Sequence, residues 1–266
     1  MKNSVIALGL MIAVAAQAAP PTAEEVGDPD SFGRDVIYLG NAQTSNVALQ
    51  ADCTPDPMFP PAPNDRCIVL NAQPAATSFN EDGLATLSLP AESTKSLICF
   101  ALTPNHNFEF NNLTGVAQPN ARYNARAVIT IENEVLDDPT LIDPNTGLPY
   151  GGKMTLPLST YSESRSIAAG EREQKSLFLS RHCIGGLVSK RSLVGSGLSE
   201  TQAKQFFKKP MKFTFGASGT VQIVDFANYF YGIRLYGDSK DRKKTQTKKR
   251  NAGETHPALF LLLFAS

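Results

Sequence analysis

The stretch MKFTFGASGTVQIVDFANYFYGIRLY, residues 211–236, decides the fold class. Apolar and polar residues alternate over Met211–Phe215, a pattern that is typical of a strand with one buried face. The residues Gly216–Gly219 predict a four-residue hairpin loop, and Thr220–Phe226 predicts the returning strand. Because Tyr229–Tyr236 alternates again, we expect a third strand and therefore an antiparallel meander.

Short apolar or alternating segments of the same kind occur along the rest of the chain. Leu97–Leu102 is apolar on both faces, so we expect a central strand that is covered on both sides. Met154–Leu158 alternates but contains Pro157, which has no backbone N–H to donate, so we expect this strand at a sheet edge. The further predicted strands are residues 36–39, 47–51, 67–70, 84–89, 125–135 and 177–179.

A single segment predicts a helix. Ser199 and Gln202 have the spacing of a capping box, and Pro210 marks the end of the segment. The sequence therefore predicts one short helix near residues 199–209 among about nine strands. We expect an all-β fold, namely a β-sandwich of the immunoglobulin-like or jelly-roll type with this one helix.

Residues 1–18 have the pattern of a secretory signal peptide. Lys2 supplies a positive charge, Val5–Ala16 is apolar, and Ala16-Gln17-Ala18 matches the small-residue cleavage pattern. The apolar segment is too short to span a bilayer, so no membrane span is expected. We therefore expect an exported bacterial protein that is periplasmic, at the cell surface or extracellular.

An exported chain with an even number of cysteines is expected to form disulfides. Cys53 and Cys67 flank a proline-rich loop that is easily closed, which leaves Cys99 to pair with Cys183. The alternative, a metal site, needs ligands clustered at short spacing, and the sequence contains no C-x-x-C motif. We therefore predict the disulfides Cys53–Cys67 and Cys99–Cys183.

Charge separates the chain into a body and a tail. Charged residues make up 19% and hydrophobic residues 42% of the sequence, which excludes a chain that is disordered throughout. Basic residues cluster between Arg242 and Arg250. We expect 19–237 to form the sandwich, with an irregular extension at 19–34, and 238–266 to be a basic, disordered tail. An electrostatic contact of the tail with nucleic acid, lipid headgroups or an acidic partner is the alternative.

Two carboxylate-rich loops are the candidates for a metal site. Gly27–Gly33 has the first acidic residues and the glycine of a calcium loop, but Phe32 and Leu39 occupy positions that need oxygen ligands. The second loop contains Asp137, Asp138, Asp143 and Asn145. Because surface turns rich in Asp and Asn are commoner than calcium sites, no cofactor is expected and calcium is the alternative.

Aromatic residues are the candidates for ligand binding, since no motif of a known catalytic centre is recognisable. Tyr229, Tyr231 and Tyr236 crowd the last predicted strand, and exposed aromatic platforms on sheets bind sugars. The alternative is that Tyr229 and Tyr231 pack on the core face of the sheet. His106 lies in an Asn-rich segment and is predicted to be a turn residue rather than a catalytic base.

We therefore expect a non-enzymatic protein that acts as an interaction or assembly subunit in the bacterial envelope or outside the cell. Its expected partners are proteins or further copies of itself, and no nucleic acid. A carbohydrate-binding module is the alternative, and a hydrolase with an unrecognised site is the third interpretation. The strand at Arg34–Leu39 is expected either to close its own sheet or to pair with a neighbouring molecule, because its apolar side chains disfavour an unpaired edge.

Overall fold

The computed structural model describes residues 36–58, 60–182 and 186–238. The predicted signal peptide, the extension at 19–34, the tail from residue 239 onward and Cys183 lie outside the described residues. No helix within the described ranges is long and apolar enough to cross a membrane.

Strands dominate the described residues, as the alternation predicts. They are β1 (Val36–Gln43), β2 (Val47–Gln50), β3 (Arg66–Val69), β4 (Thr77–Leu89), β5 (Leu97–Asn111), β6 (Gln118–Glu132), β7 (Lys153–Ile167), β8 (Arg172–Phe178), β9 (Arg181–His182), β10 (Val188–Ser189), β11 (Met211–Gln222) and β12 (Val224–Asp238). The helical elements are α1 (Lys190–Gly195), α2 (Glu200–Phe206) and one 3-10 turn (Glu134–Asp137).

The strands form two sheets that pack face to face. In the eight-stranded sheet, β5 and β12 are the central pair, and β1 and β2 lie against the other side of β12. β3 runs parallel to β2, while β8, β9 and β10 follow one another along the other side of β5. The four-stranded sheet has the order β4-β11-β6-β7. This arrangement confirms the predicted all-β sandwich.

The core lies between the inner faces of the two sheets. Phe108 and Tyr231 enter it from the eight-stranded sheet, and Tyr123 and Phe213 enter it from the four-stranded sheet; all are fully buried. The rings of Phe108 and Tyr123 stack with their centroids 4.0 Å apart. Burying each such side chain contributes about 2 kcal/mol, so the inner faces hold the sheets together.

The predicted hairpin loop at Gly216–Gly219 is wrong. These residues lie inside β11, which is continuous to Gln222, and the chain turns at Ile223 instead. A Cβ on Gly219 would lie 2.1 Å from the carbonyl oxygen of Asn124 on β6. The glycines therefore permit neighbouring strands to approach closely rather than making a turn. The meander is also wrong, because β11 and β12 belong to different sheets.

The predicted helix is present, and a second one accompanies it. α2 begins after Ser199, whose side chain forms the expected capping box with Gln202. α1 was not predicted, because its capping box joins Ser189 to Ser192 instead of to a glutamate or glutamine. Leu193 of α1 and Phe206 of α2 are buried in the core, so tertiary packing stabilises both short helices.

One predicted disulfide is fully visible. Cys53 and Cys67 are bonded, with their Cα atoms 5.7 Å apart. Cys99 is also disulfide-bonded, but its predicted partner Cys183 lies outside the described residues. The Cys53–Cys67 disulfide therefore connects the segment after β2 to β3.

The strands at the sheet edges agree with the sequence predictions. β7, which contains Pro157, is the last strand of the four-stranded sheet, as predicted. β1 pairs with β12 from Val36 opposite Asp238 to Gln43 opposite Gly232, so the N-terminal strand closes its own sheet. The charge pattern of the sequence placed Asp238 in the predicted tail, but Asp238 is the last residue of β12 and is buried.

Candidate functional site

The outer face of the four-stranded sheet carries an open groove. In β6 the odd-numbered residues from Tyr123 to Ile131 are buried in the core, so the even-numbered residues face the opposite side. Side chains from all four strands line this groove, which has a volume of about 810 Å³. We call it the basic groove and define it by Asn80, Arg122, Asn124, Arg126, Ser162 and Ser218.

Strand register places these side chains in rows across the sheet. Asn124 lies opposite Thr220 of β11 on one side and opposite Ser162 of β7 on the other. Arg126 lies opposite Ser218 of β11. Since neighbouring strands are about 4.8 Å apart, each row presents hydroxyl, amide or guanidinium groups side by side.

Hydrogen bonds between side chains hold part of this surface in place. Nε of Arg126 donates to Oγ of Ser218 at 2.9 Å. Oγ of Ser78 and Oγ1 of Thr220 lie 3.0 Å apart. The bond to Ser218 positions Arg126. Because a guanidinium has several N–H donors, the others remain available to a ligand.

The basic groove is positively charged. No aspartate or glutamate is among its lining residues, and in the described part of the chain neither Arg122 nor Arg126 forms an ion pair. Arg165 and Arg172, by contrast, each bind a glutamate. The planar fork of an arginine binds carboxylates and similar anions through two parallel hydrogen bonds, so this groove can bind negative groups.

Aromatic stacking contributes little to this surface. Phe79, the aromatic residue among the lining residues, is 7% exposed and belongs to the core cluster. The apolar part of the lining is Val128 and Pro157, which lie opposite each other where the register of β6 and β7 shifts. The groove therefore offers a ligand an apolar contact at Val128 and Pro157 beside its charged and hydrogen-bonding groups.

The three predicted ligand-binding aromatics lie on two different faces of the eight-stranded sheet. Tyr229 and Tyr231 are 1% and 0% exposed and lie on the core face, as the packing alternative predicts. Oη of Tyr231 donates to the carbonyl of Gly216 at 2.8 Å. Tyr236 lies half-buried on the outer face, where its ring meets that of Tyr38 edge-on at 6.2 Å. Of the three, a ligand can reach Tyr236 without opening the core.

His106 lies in the middle of β5, so the turn prediction is wrong. It is 1% exposed, and its Nδ1 lies 3.0 Å from Oη of Tyr123. The rings of Tyr161 and Tyr229 lie 5.3 Å and 4.9 Å from its ring. Burial lowers the pKa of His106 to about 4, so the ring is neutral at pH 7. The flanking asparagines, which suggested a turn, occupy the outer face of the strand.

The second carboxylate-rich loop does not bring its acidic side chains together. Asp138 accepts hydrogen bonds from the hydroxyl and the backbone N–H of Thr140, and these bonds lower the pKa of its carboxyl. Asp143 accepts a hydrogen bond from the backbone N–H of Asn145. Within the described ranges, no three acidic, histidine or cysteine side chains converge. The loop at 27–33 lies outside these ranges.

Most residues of the basic groove lie outside the strands that the sequence predicts. The predicted strands 125–135 and 154–158 stop short of Arg122, Asn124 and Ser162, which lie in the longer strands β6 and β7. A signal was present in β6, because its polar residues alternate with the buried residues of the core face. In β7 the serine-rich segment has no apolar alternation that would have shown a strand.

Comparison with known proteins gives this chain no relatives by sequence. No family model matches it. No curated protein matches it either. Among solved structures, the T13 IBDV viral particle is 8% identical over 80% of this chain and 40% of that chain, with a TM-score of 0.16. The infectious bursal disease virus Gt strain is 9% identical over 94% of this chain and 52% of that chain, with a TM-score of 0.14. The chain thus spans about half the length of these structures or less, and the scores establish no shared fold.

Proposed function

We propose that this chain is an exported, non-enzymatic interaction protein that binds its partner through the basic groove. The observation that carries the proposal is the pair Arg122 and Arg126, which have no carboxylate partner in the described residues and lie among hydroxyl and amide groups. Of the other arginines on the body, Arg172 binds a glutamate, whereas Arg181 and Arg234 are exposed but do not belong to the lining of this groove. A charged groove whose side chains are carried by paired strands is a rigid surface for binding a complementary partner.

Two observations support the export part of the proposal. Residues 1–18 have the charge and hydropathy pattern of a signal peptide. The Cys53–Cys67 disulfide is typical of proteins in an oxidising compartment. An exported protein meets the polymers and proteins of the cell envelope, and these are the partners that the basic groove would contact.

The experiment measures binding to the envelope of the producing cell. Oxidised full-length protein is mixed with isolated envelopes, and the bound fraction is measured after sedimentation over a range of protein concentrations. The variant Arg122→Gln/Arg126→Gln is expected to weaken binding at least about tenfold, because it removes two charge-assisted contacts. Raising the salt concentration is expected to weaken binding by the unchanged protein.

A matched control separates the groove from overall charge. Arg181→Gln/Arg234→Gln removes the same charge from exposed positions of the eight-stranded sheet, and it is expected to bind like the unchanged protein. Circular dichroism spectra of all three proteins verify that they are folded. Equal binding by the groove variant and the unchanged protein would contradict the proposal.

A further inference from the structure

The placement of the two arginines indicates a ligand with more than one negative charge. Arg122 and Arg126 are four residues apart on one face of β6, which separates their Cα atoms by about 13 Å at a rise of about 3.3 Å per residue. The hydrogen bond to Ser218 holds Arg126 toward β11 rather than toward Arg122. The two guanidinium groups are therefore far enough apart to contact separate negative groups, as an extended polymer would present them.

The lining between the arginines indicates a ligand rich in hydroxyl groups. Asn124 lies midway between them, with Thr220 and Ser162 opposite it on the neighbouring strands. Amide and hydroxyl side chains both donate and accept hydrogen bonds. Sugar hydroxyls also do both, whereas the carboxylates of an acidic peptide only accept. The row through Asn124 therefore matches a sugar better than it matches an acidic side chain.

The same lining disfavours two other polymers. Proteins that bind single-stranded nucleic acid stack the bases on exposed aromatic rings, and the aromatic lining residue Phe79 is buried in the core. A neutral polysaccharide would make no use of the charge of Arg122 and Arg126. The combination of positive charge, hydroxyl and amide groups and little aromatic surface matches a charged, hydroxylated chain.

We infer that the basic groove binds an acidic polysaccharide, a chain of sugars that carries carboxylate or sulfate groups. Arg122 and Arg126 bind two negative groups, and Asn124, Ser162 and Thr220 bind hydroxyls between them. The inference rests on the proposed function, because it names the class of partner for the same groove. Side chains from all four strands line the groove, so it can accommodate several sugar units across the sheet.

The experiment measures the affinity of oxidised full-length protein for four polymers. Polygalacturonate carries carboxylates, dextran sulfate carries sulfates, dextran is neutral, and polyglutamate is an acidic peptide. We expect at least one of the two acidic polysaccharides to bind, and dextran to show no binding. Which of the two binds more tightly distinguishes carboxylate from sulfate as the recognised group.

Matched variants distinguish the groove from the basic tail. All variants carry the same tail, so its attraction for polyanions is a common background. Arg122→Gln/Arg126→Gln is expected to weaken binding of the acidic polysaccharide at least about tenfold, and Arg181→Gln/Arg234→Gln is expected to leave it unchanged. Asn124→Ala is expected to weaken polysaccharide binding several-fold, about the loss of one neutral hydrogen bond, without weakening any binding of polyglutamate.

The outcomes separate this inference from the proposed function. If polyglutamate binds as tightly as the polysaccharides and depends equally on the two arginines, the ligand is an acidic peptide and only the inference fails. If envelope binding depends on the arginines but no acidic polysaccharide binds through them, the inference also fails and the proposed function stands. If neither depends on the arginines, both are wrong.

Discussion

His106 lies between the two sheets, surrounded by Tyr123, Tyr161 and Tyr229, so a proton on its ring would place a charge in a space that is closed to water. Burial accordingly lowers its pKa from 6.5 to about 4. The unfolded chain keeps the ordinary value, so between about pH 4 and pH 6.5 it binds more protons than the folded protein does. The free energy of unfolding must therefore fall as the pH falls through this window, by at most about 3 kcal/mol.

The substitution His106→Gln tests this pH dependence. Glutamine does not titrate, so the free energy of unfolding should fall less steeply between pH 6.5 and pH 4 in the variant than in the unchanged protein. Urea unfolding at a series of pH values measures both slopes. The carboxylates titrate in both proteins, so the difference between the slopes reports His106 alone. Equal slopes would show that the folded protein protonates His106 as readily as the unfolded chain does.

At the scale of elements, β11 depends on two glycines that let its neighbours approach. A Cβ on Gly216 would lie 2.5 Å from the carbonyl oxygen of Glu81 on β4, and one on Gly219 would lie 2.1 Å from that of Asn124 on β6. Both contacts are with backbone atoms, which cannot move aside without shifting a strand. Any side chain at these positions would therefore disturb the pairing that builds the basic groove.

The substitution Gly219→Ala is expected to destabilise the protein by about 3 kcal/mol, because the added methyl group forces β6 and β11 apart. Thermal unfolding followed by circular dichroism measures the loss. Ser218→Ala, at the next position of the same strand, is the control and is expected to cost less than about 1 kcal/mol, since it removes one partly exposed hydrogen bond. Equal effects of the two substitutions would contradict the close approach of the strands.

The strands were predictable in type but not in number or length, since about nine were expected and the described residues form twelve. Alternation indicated residues 154–158, whereas β7 runs to Ile167. The second half of β7 was not predicted because it has serines on the outer face and residues such as Arg165 on the other, so it shows no apolar alternation. Arg165 forms an ion pair with Glu171, a partner that the sequence pattern does not indicate. Ser162 and Ser164 of the groove lining were hidden for this reason, since both lie in that polar half of β7.

At the scale of the whole molecule, the sandwich was predictable and the division of strands between its sheets was not. β11 and β12 are consecutive and alternate alike, so the sequence indicated neighbours in one sheet. The chain instead changes sheets at Ile223, which adopts a positive φ of 57° that is uncommon for a β-branched residue. The surrounding packing imposes this conformation, and no local pattern reveals it.

Asp238 links the end of β12 by hydrogen bonds to the segment that leads into β5. Its carboxylate accepts hydrogen bonds from the hydroxyls of Thr94 and Ser96 and from the backbone N–H groups of Lys95, Ser96 and Leu97. Burial alone would raise the pKa of Asp238, but these hydrogen bonds outweigh it and the pKa is lowered overall. Its stabilising contribution is therefore present above the ordinary pKa of an aspartate and is lost as the pH falls through the lowered value.

Two truncations that differ by two residues test where the body ends. A chain that ends at Ser239 keeps the carboxylate of Asp238, and we expect its melting temperature at pH 7 to match that of the full chain. A chain that ends at Gly237 lacks the side chain, and leaving Thr94, Ser96 and three backbone N–H groups without their acceptor should cost about 3 kcal/mol, or several degrees of melting temperature. Because the pKa of Asp238 is lowered in the folded protein, this difference should shrink as the pH falls from the ordinary pKa of an aspartate through the lowered value. A large loss in the chain that ends at Ser239 would instead show that the basic tail stabilises the sandwich, and the body would extend beyond Asp238.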